Sequence, residues 1–276
     1  RTPGHAGGAG RAFNRWRSCG RFILTYAAVI DRMGGLEVDG LTVSVEGRRV
    51  LRGVSLSVRG GEVAVLMGPN GSGKTSLALT IAGHPRYAVE EGRILIDGED
   101  VTGLKPEERA LRGLFLAFQS PPAFEGVRVR TLLREVAARR GAPSDEQALA
   151  AALGRVGLPA GVLDRELYRG FSGGEKKRLE VAQALLFRPR VAVLDEPDSG
   201  LDVEGVKIVA GLARELAGAG AAVLLITHSA RTAELVAPDR VLVMLGGRIV
   251  AEGGLELVKA VEEGGYGVLA GGGRAE

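Results

Sequence analysis

A chain of 276 residues is long enough for one large α/β domain, or for one domain carrying an inserted subdomain. Its 45% apolar content supplies an ordinary core, and no apolar run approaches the roughly 20 residues of a spanning helix, which argues against direct membrane insertion. The formal charge is +3, but residues 1–32 hold six arginines against Asp31 alone, a local +5 that leaves −2 on the remainder; so balanced a body offers no basic face for nucleic acid.

Residues 1–32 stand apart in composition. They are rich in Gly and Arg as far as Arg21 and then carry a short apolar run, Phe22 to Ile30. Three origins fit: translation upstream of a true start at Met33, an organelle transit segment, which is Arg-rich and poor in acids, or a disordered native tail. The stretch is read as a disordered or misassigned extension, and the fold is expected over residues 33–270, with 271–276 as a frayed tail. The only cysteine, Cys19, lies in the extension. The body can therefore form no disulfide, no Cys-ligated metal site and no thiol nucleophile.

From residue 36 the chain alternates apolar and polar positions, through 36–45 and again through 54–58, as half-buried strands do. Glu46 to Arg49 between them reads as a hairpin turn, so an N-terminal antiparallel β subdomain is expected. Val63 to Met67 is continuously apolar, the mark of a strand covered on both faces in a mainly parallel sheet. A Gly-rich loop follows, then an apolar helix from Lys74 to Ala82. Gly92–Ile96 and Leu114–Phe118 read as further strands. Thr131 to Leu158 turns helical, interrupted at Gly141-Ala142-Pro143. Strands return at Val191–Leu194, Ala222–Thr227 and Val241–Leu245, with a helix over Val203–Leu216. Strands alternating with helices predict a doubly wound α/β sheet, and the helical stretch 121–175 reads as an inserted subdomain.

Gly68-Pro69-Asn70-Gly71-Ser72-Gly73-Lys74-Thr75 fits G-x-x-x-x-G-K-[ST], the phosphate-binding P-loop, in the strand–loop–helix context that it requires. Glycines let backbone N–H groups turn inward around phosphates, and the helix start adds partial positive charge. Lys74 is placed for the β- and γ-phosphates, the Thr75 hydroxyl for Mg²⁺, and Ser76 continues the nucleotide-binding set. The strand Val191–Leu194 ends in two carboxylates. Asp195 is placed to hold Mg²⁺, and Glu196 to polarise an attacking water. Alone, that pair would pass for a solvated acidic turn; 120 residues downstream of a P-loop it reads as catalytic. Ser172-Gly173-Gly174-Glu175 opens a helix read as amphipathic, with Leu179, Ala182, Leu185 and Leu186 on its apolar face. Ser172 is a natural N-cap, and the glycines let a phosphate approach.

Ser-Gly-Gly-Glu ahead of a strand ending in Asp-Glu resembles the signature motif of the ABC ATPases. The resemblance implies a P-loop NTPase core that binds ATP and Mg²⁺ and forms an ATP-dependent homodimer, in which the signature of one copy closes over the nucleotide on the other. It implies that Gln119 senses the γ-phosphate and Mg²⁺, that Ser199 to Asp202 crosses the dimer seam, and that His228 is the switch histidine. By itself, a histidine closing an apolar strand is more often structural. One departure stands out: the aromatic that commonly stacks on adenine would fall near Val45, and none is there.

Phe115 to Gln119, Phe171 to Arg178, Asp198 to Asp202, Ala82 to Tyr87 and Glu263 to Tyr266 together are similar to the SufC ATPases of SUF iron–sulfur cluster assembly. That likeness covers residues 36–269. It implies a cytoplasmic ATPase whose partners are SufB- and SufD-type scaffold proteins. Ser120-Pro121-Pro122, where Tyr-Pro is more usual, departs on the partner-facing side. The alternative is the nucleotide-binding subunit of an ABC transporter.

Overall fold

The structure is a computed structural model that describes residues 34–270 apart from Ser120, Pro122 and Arg140. The expectations for residues 1–32 and 271–276 lie outside the described residues.

The N-terminal strands form as expected and run longer than their alternation showed. Strand β1 (Gly35–Val45) pairs antiparallel with β2 (Arg48–Arg59) across a two-residue turn. Both turn residues, Glu46 and Gly47, have positive φ (51° and 76°), the mirror-image geometry that matches strand twist. The expected turn over Glu46 to Arg49 is thus shorter, because Arg48 and Arg49 already pair with β1. On the other side of β1 lie β4 (Ala88–Ile96) and β5 (Glu99–Asp100), giving a four-stranded sheet in the order β2-β1-β4-β5.

The second sheet has six strands in the order β10-β9-β3-β8-β7-β6. Strands β3 (Val63–Met67), β6 (Leu114–Ala117), β7 (Val191–Asp195), β8 (Ala222–Ile226) and β9 (Arg240–Leu245) are parallel, and β10 (Arg248–Gly253) returns antiparallel to β9. All five residues of β3, of β7 and of β8 are buried, as strands covered on both faces must be. Alternation divides the core in two. Val63, Val65 and Met67 join one apolar cluster, and Ala64 and Leu66 the other. Strand β10 was missed because its burial alternates weakly between intermediate and exposed, although Gly246-Gly247 before it is a turn signal.

The helices are α1 (Lys74–Ile81), α2 (Pro106–Leu111), α3 (Val129–Arg139), α4 (Glu146–Arg155), α5 (Gly173–Phe187), α6 (Val203–Gly218), α7 (Ala230–Val236), α8 (Leu255–Gly264) and α9 (Gly267–Ala270). Between β6 and β7 the strand–helix alternation stops, as expected: α3 and α4 pack on α5 instead, and a 3₁₀ turn (Ala160–Asp164) packs on α3 and α4. Helix α5 departs from its amphipathic reading. It buries Lys177, Leu179, Glu180, Val181, Ala182, Ala184 and Leu186, most of its circumference, because it is wedged among α3, α4, α6 and β6. Among the described residues no helix is long and apolar enough to cross a membrane.

Candidate functional site

The loops after β3, β6, β7 and β8 emerge at one edge of the parallel sheet, the carboxyl ends of the strands, where open α/β sheets bind ligands. The P-loop follows β3. Its first glycine could not be another residue, since a Cβ on Gly68 would lie 2.3 Å from the Met244 carbonyl oxygen and 2.7 Å from Ser72 Oγ. Gly73, at φ 112°, caps the start of α1. Lys74 is folded back on its own loop: Nζ donates to the carbonyl oxygens of Gly68 (2.7 Å) and Pro69 (2.9 Å). Burial lowers its pKa, opposed by the charges of Glu196 and Asp195. Pro69, Asn70 and Gly71 are exposed, Gly73, Thr75 and Ser76 half-buried, and Ser72 buried.

Asp195 closes β7 and is 2% exposed. Its carboxyl is raised to about 6, chiefly by burial, with the Thr75 hydroxyl donating to it as the leading opposing effect. Its Oδ1 is buried with no hydrogen-bond partner, as is Ser72 Oγ. A buried carboxylate oxygen left unpaired suits a hard cation or the cation's water. Thr75 and Asp195 therefore fit Mg²⁺. Among the described residues no three acidic, His or Cys side chains converge on a metal position.

Glu196 sits in the left-handed region at φ 47°, a conformation that a non-glycine residue adopts only when its surroundings hold it. They do. Its backbone N–H donates to Ile226 O at 2.9 Å, Gln119 Nε2 donates to its Oε2 at 2.6 Å, and His228 Nδ1 lies 3.5 Å from Oε1. Three expected residues from three loops thus meet on one carboxylate. Below them Asp198 Oδ2 accepts from the Thr227 hydroxyl (2.8 Å) and the Thr232 hydroxyl (2.5 Å), and Thr227 Oγ1 accepts the Ser229 N–H (3.0 Å). This buried net ties the segment after Glu196 to the segment around His228.

The signature residues form a separate group, with Ser172 and Gly173 exposed and Gly174 and Glu175 half-buried. Ser172 and Glu175 make a reciprocal capping box: Glu175 N–H to Ser172 Oγ at 3.2 Å, and Ser172 N–H to Glu175 Oε2 at 2.8 Å. Arg165 Nη1 donates to Glu175 Oε1 (2.7 Å), and its guanidinium covers the Phe171 ring at 3.8 Å. The Ser172 N–H first, and Arg165 next, hold the Glu175 carboxyl below its ordinary range. Asp202 caps α6 through the Gly205 N–H at 2.8 Å and faces Arg178 at 3.5 Å. Among the described residues no hydrogen bond or ion pair joins Phe171–Glu175 or Asp202 to the P-loop. The structure brings the signature and Asp202 together with each other, not with the phosphate site of the same chain.

Sequence reasoning missed four features here. An open cleft of about 330 Å³ beside the P-loop is lined by Arg49, Val50, Arg52 and Gly246 as well as Gly71, Gly73, Thr75 and Ser76. Two arginines thus flank the P-loop, and Arg49 is itself paired with Glu90 at 2.7 Å. Asp198 with its threonines escaped notice because short polar residues are unremarkable in loops. Nothing in the sequence set Lys177 and Glu180 apart on their helix, and both are buried. Tyr266 reaches the loop from the C-terminal segment and accepts the Gly68 N–H.

A P-loop, a strand ending in Asp-Glu, a glutamine and a histidine on the glutamate, and a capped Ser-Gly-Gly helix define a nucleotide-hydrolysing ATPase of the ABC class. Comparison with known proteins agrees. Residues 51–199 match the ABC transporter family. The "Probable ATP-dependent transporter SufC" of Escherichia coli is 40% identical over 243 residues, 85% of this chain and 98% of the relative. A "Probable ATP-dependent transporter" of Synechocystis is 41% identical over 85% of this chain and 95% of the relative. Among solved structures, an ATP-binding subunit of an ABC transporter superposes with a TM-score of 0.71 at 28% identity, covering 84% of this chain and 94% of that one. The chain belongs to the ABC ATPases and, within them, to the SufC type. It binds and hydrolyses ATP as that family does.

Proposed function

We propose that this chain is the Mg²⁺-dependent ATPase of a SUF iron–sulfur cluster assembly complex, and that ATP-driven dimerisation of two copies reshapes a SufB/SufD-type scaffold. The 40% identity to E. coli SufC over 98% of its length carries the reading, because it runs through the signature and the C-terminal segment alike. One domain spanning residues 33–270, with the helices of 121–175 inserted, does the work.

Each step can be assigned to residues. Entering phosphates take Lys74 from the Gly68 and Pro69 carbonyls, exchanging two loop bonds for charge-assisted ones. The amides of residues 70 to 76 surround the phosphates at the start of α1. Thr75, Asp195 and Gln119 would hold Mg²⁺, which would neutralise phosphate charge when bound. Glu196 orients a water and accepts its proton as the water oxygen bonds to the γ-phosphorus and the bond to the bridging oxygen breaks. His228 and Gln119, already on the Glu196 carboxylate, bracket that water. Ser172, Gly173, Gly174 and Glu175 complete the site from a second copy, with Asp202 at the seam. The exposure of Ser172, Gly173 and Asp202 supports that arrangement.

The test is a pull-down from native lysate with tagged protein, with and without Mg-ATP, read by mass spectrometry. SufB- and SufD-like proteins are the expected catch. A polytopic membrane protein in their place would leave the ATPase intact and make the chain a transporter subunit.

A further inference from the structure

Helix α5 carries two charged side chains to which the hydrolytic reading gives no role. Lys177 and Glu180 are 5% and 3% exposed. Charge is buried at a cost unless it is paired and hydrogen-bonded, so their partners show what the burial is for. Both act on the backbone of one residue, Phe118, and so on the peptide groups at either side of it. The Phe118 N–H donates to Glu180 Oε1 at 2.8 Å, and Lys177 Nζ donates to Phe118 O at 2.7 Å. The two charges face each other at 3.9 Å.

Phe118 is where that grip has most effect. Strand β6 ends at Ala117, so sheet pairing no longer holds the backbone. The Phe118 side chain is itself exposed and cannot anchor the segment by burial. The next residue, Gln119, makes the 2.6 Å bond to Glu196. The clamp therefore replaces the missing ladder one residue before the side chain that holds the hydrolytic carboxylate.

We propose that Glu180 is a positioning residue of the hydrolytic site: with Lys177 it fixes the Phe118 backbone and so aims Gln119 at Glu196. The helix whose N-terminus is the signature is thereby linked to the hydrolytic carboxylate of the same chain. Closure of that N-terminus over a second copy's nucleotide is felt at Gln119 through about two turns of rigid helix. This inference rests on the ATPase reading and adds a residue to it.

Only one Glu180 oxygen makes a hydrogen bond, since Oε2 is buried without one and faces Lys177 Nζ at 3.9 Å. That separates two substitutions. Glu180→Gln keeps an acceptor for the Phe118 N–H, whereas Glu180→Met keeps the volume and loses the acceptor. Both remove the charge facing Lys177, so the difference between them isolates the bond to Phe118. Steady-state ATPase and calorimetric ADP binding are measured on the full chain. Glu180→Met is expected to lower kcat by about tenfold or more, as small misplacements of catalytic groups do, with ADP affinity and stoichiometry unchanged. Glu180→Gln is expected to restore most of the rate. Unchanged kcat in Glu180→Met, equal impairment of both variants, or a fall in ADP stoichiometry that parallels kcat would overturn the proposal. An inactive unsubstituted protein would instead sink the ATPase reading itself.

Discussion

Gln119 Nε2 donates to Glu196 Oε2 at 2.6 Å, joining side chains 77 residues apart across the loops after β6 and β7. His228 Nδ1 lies 3.5 Å from the other oxygen, so the carboxylate is held from both sides. Glu196→Gln keeps the shape and removes the proton acceptor. Phosphate release is expected to fall by about 10²-fold or more, the usual scale for loss of a general base. ATP binding is expected to persist and to trap a dimer, which light scattering would detect. Steady-state turnover equal to wild type would remove Glu196 from the mechanism.

Lys74 Nζ ties the P-loop to itself through the Gly68 and Pro69 carbonyls. Lys74→Ala removes both loop bonds and the positive charge. Calorimetry is expected to show ATP affinity reduced by roughly tenfold to a hundredfold, the loss of about 1.5–3 kcal/mol typical of a hydrogen bond to a charged group. Native affinity in that variant would contradict the phosphate-binding role.

Asp195 is an acid whose folded pKa, about 6, lies above the ordinary 3.8 because it is buried. Across that window the native state binds more protons than the unfolded chain, so this group makes stability fall as pH rises, with the full penalty above about 6. A shift of about two units corresponds to about 3 kcal/mol. In EDTA and without nucleotide, Asp195→Asn is expected to melt higher than wild type at neutral pH, by part of that amount, and to lose hydrolysis. A lower melting temperature there would show that the buried carboxylate is stabilising rather than strained.

The cleft beside the P-loop is lined by Arg49, Val50 and Arg52, and no aromatic ring stands at Val45. A guanidinium can lie on either purine, and an exposed cation–π contact contributes only about 0.5–1 kcal/mol. ATP and GTP are therefore expected to give kcat/KM values within about tenfold of each other, since no directional contact separates their base edges. Arg52→Ala is expected to weaken both alike. Strong preference for ATP would mean that the cleft reads the purine edge.

By itself the sequence determined the phosphate loop, the Asp195-Glu196 pair, the signature cap and the buried parallel strands. Each of these is written in consecutive residues, where local backbone chemistry and strand or helix period decide the outcome. The family resemblance placed Gln119 and His228 in the site, but only the tertiary structure showed that both reach Glu196, because the three come from loops that adjacent parallel strands bring to one sheet edge. Tertiary structure alone also decided the fate of Lys177 and Glu180. On a helix, two charges three residues apart read as a solvated face. Here α3, α4, α6 and β6 exclude water from that face, and the Phe118 peptide takes its place. The arginine cleft was hidden for the same reason: its walls come from β2, the P-loop and the β9–β10 turn, which are distant in the chain and meet only when the two sheets pack.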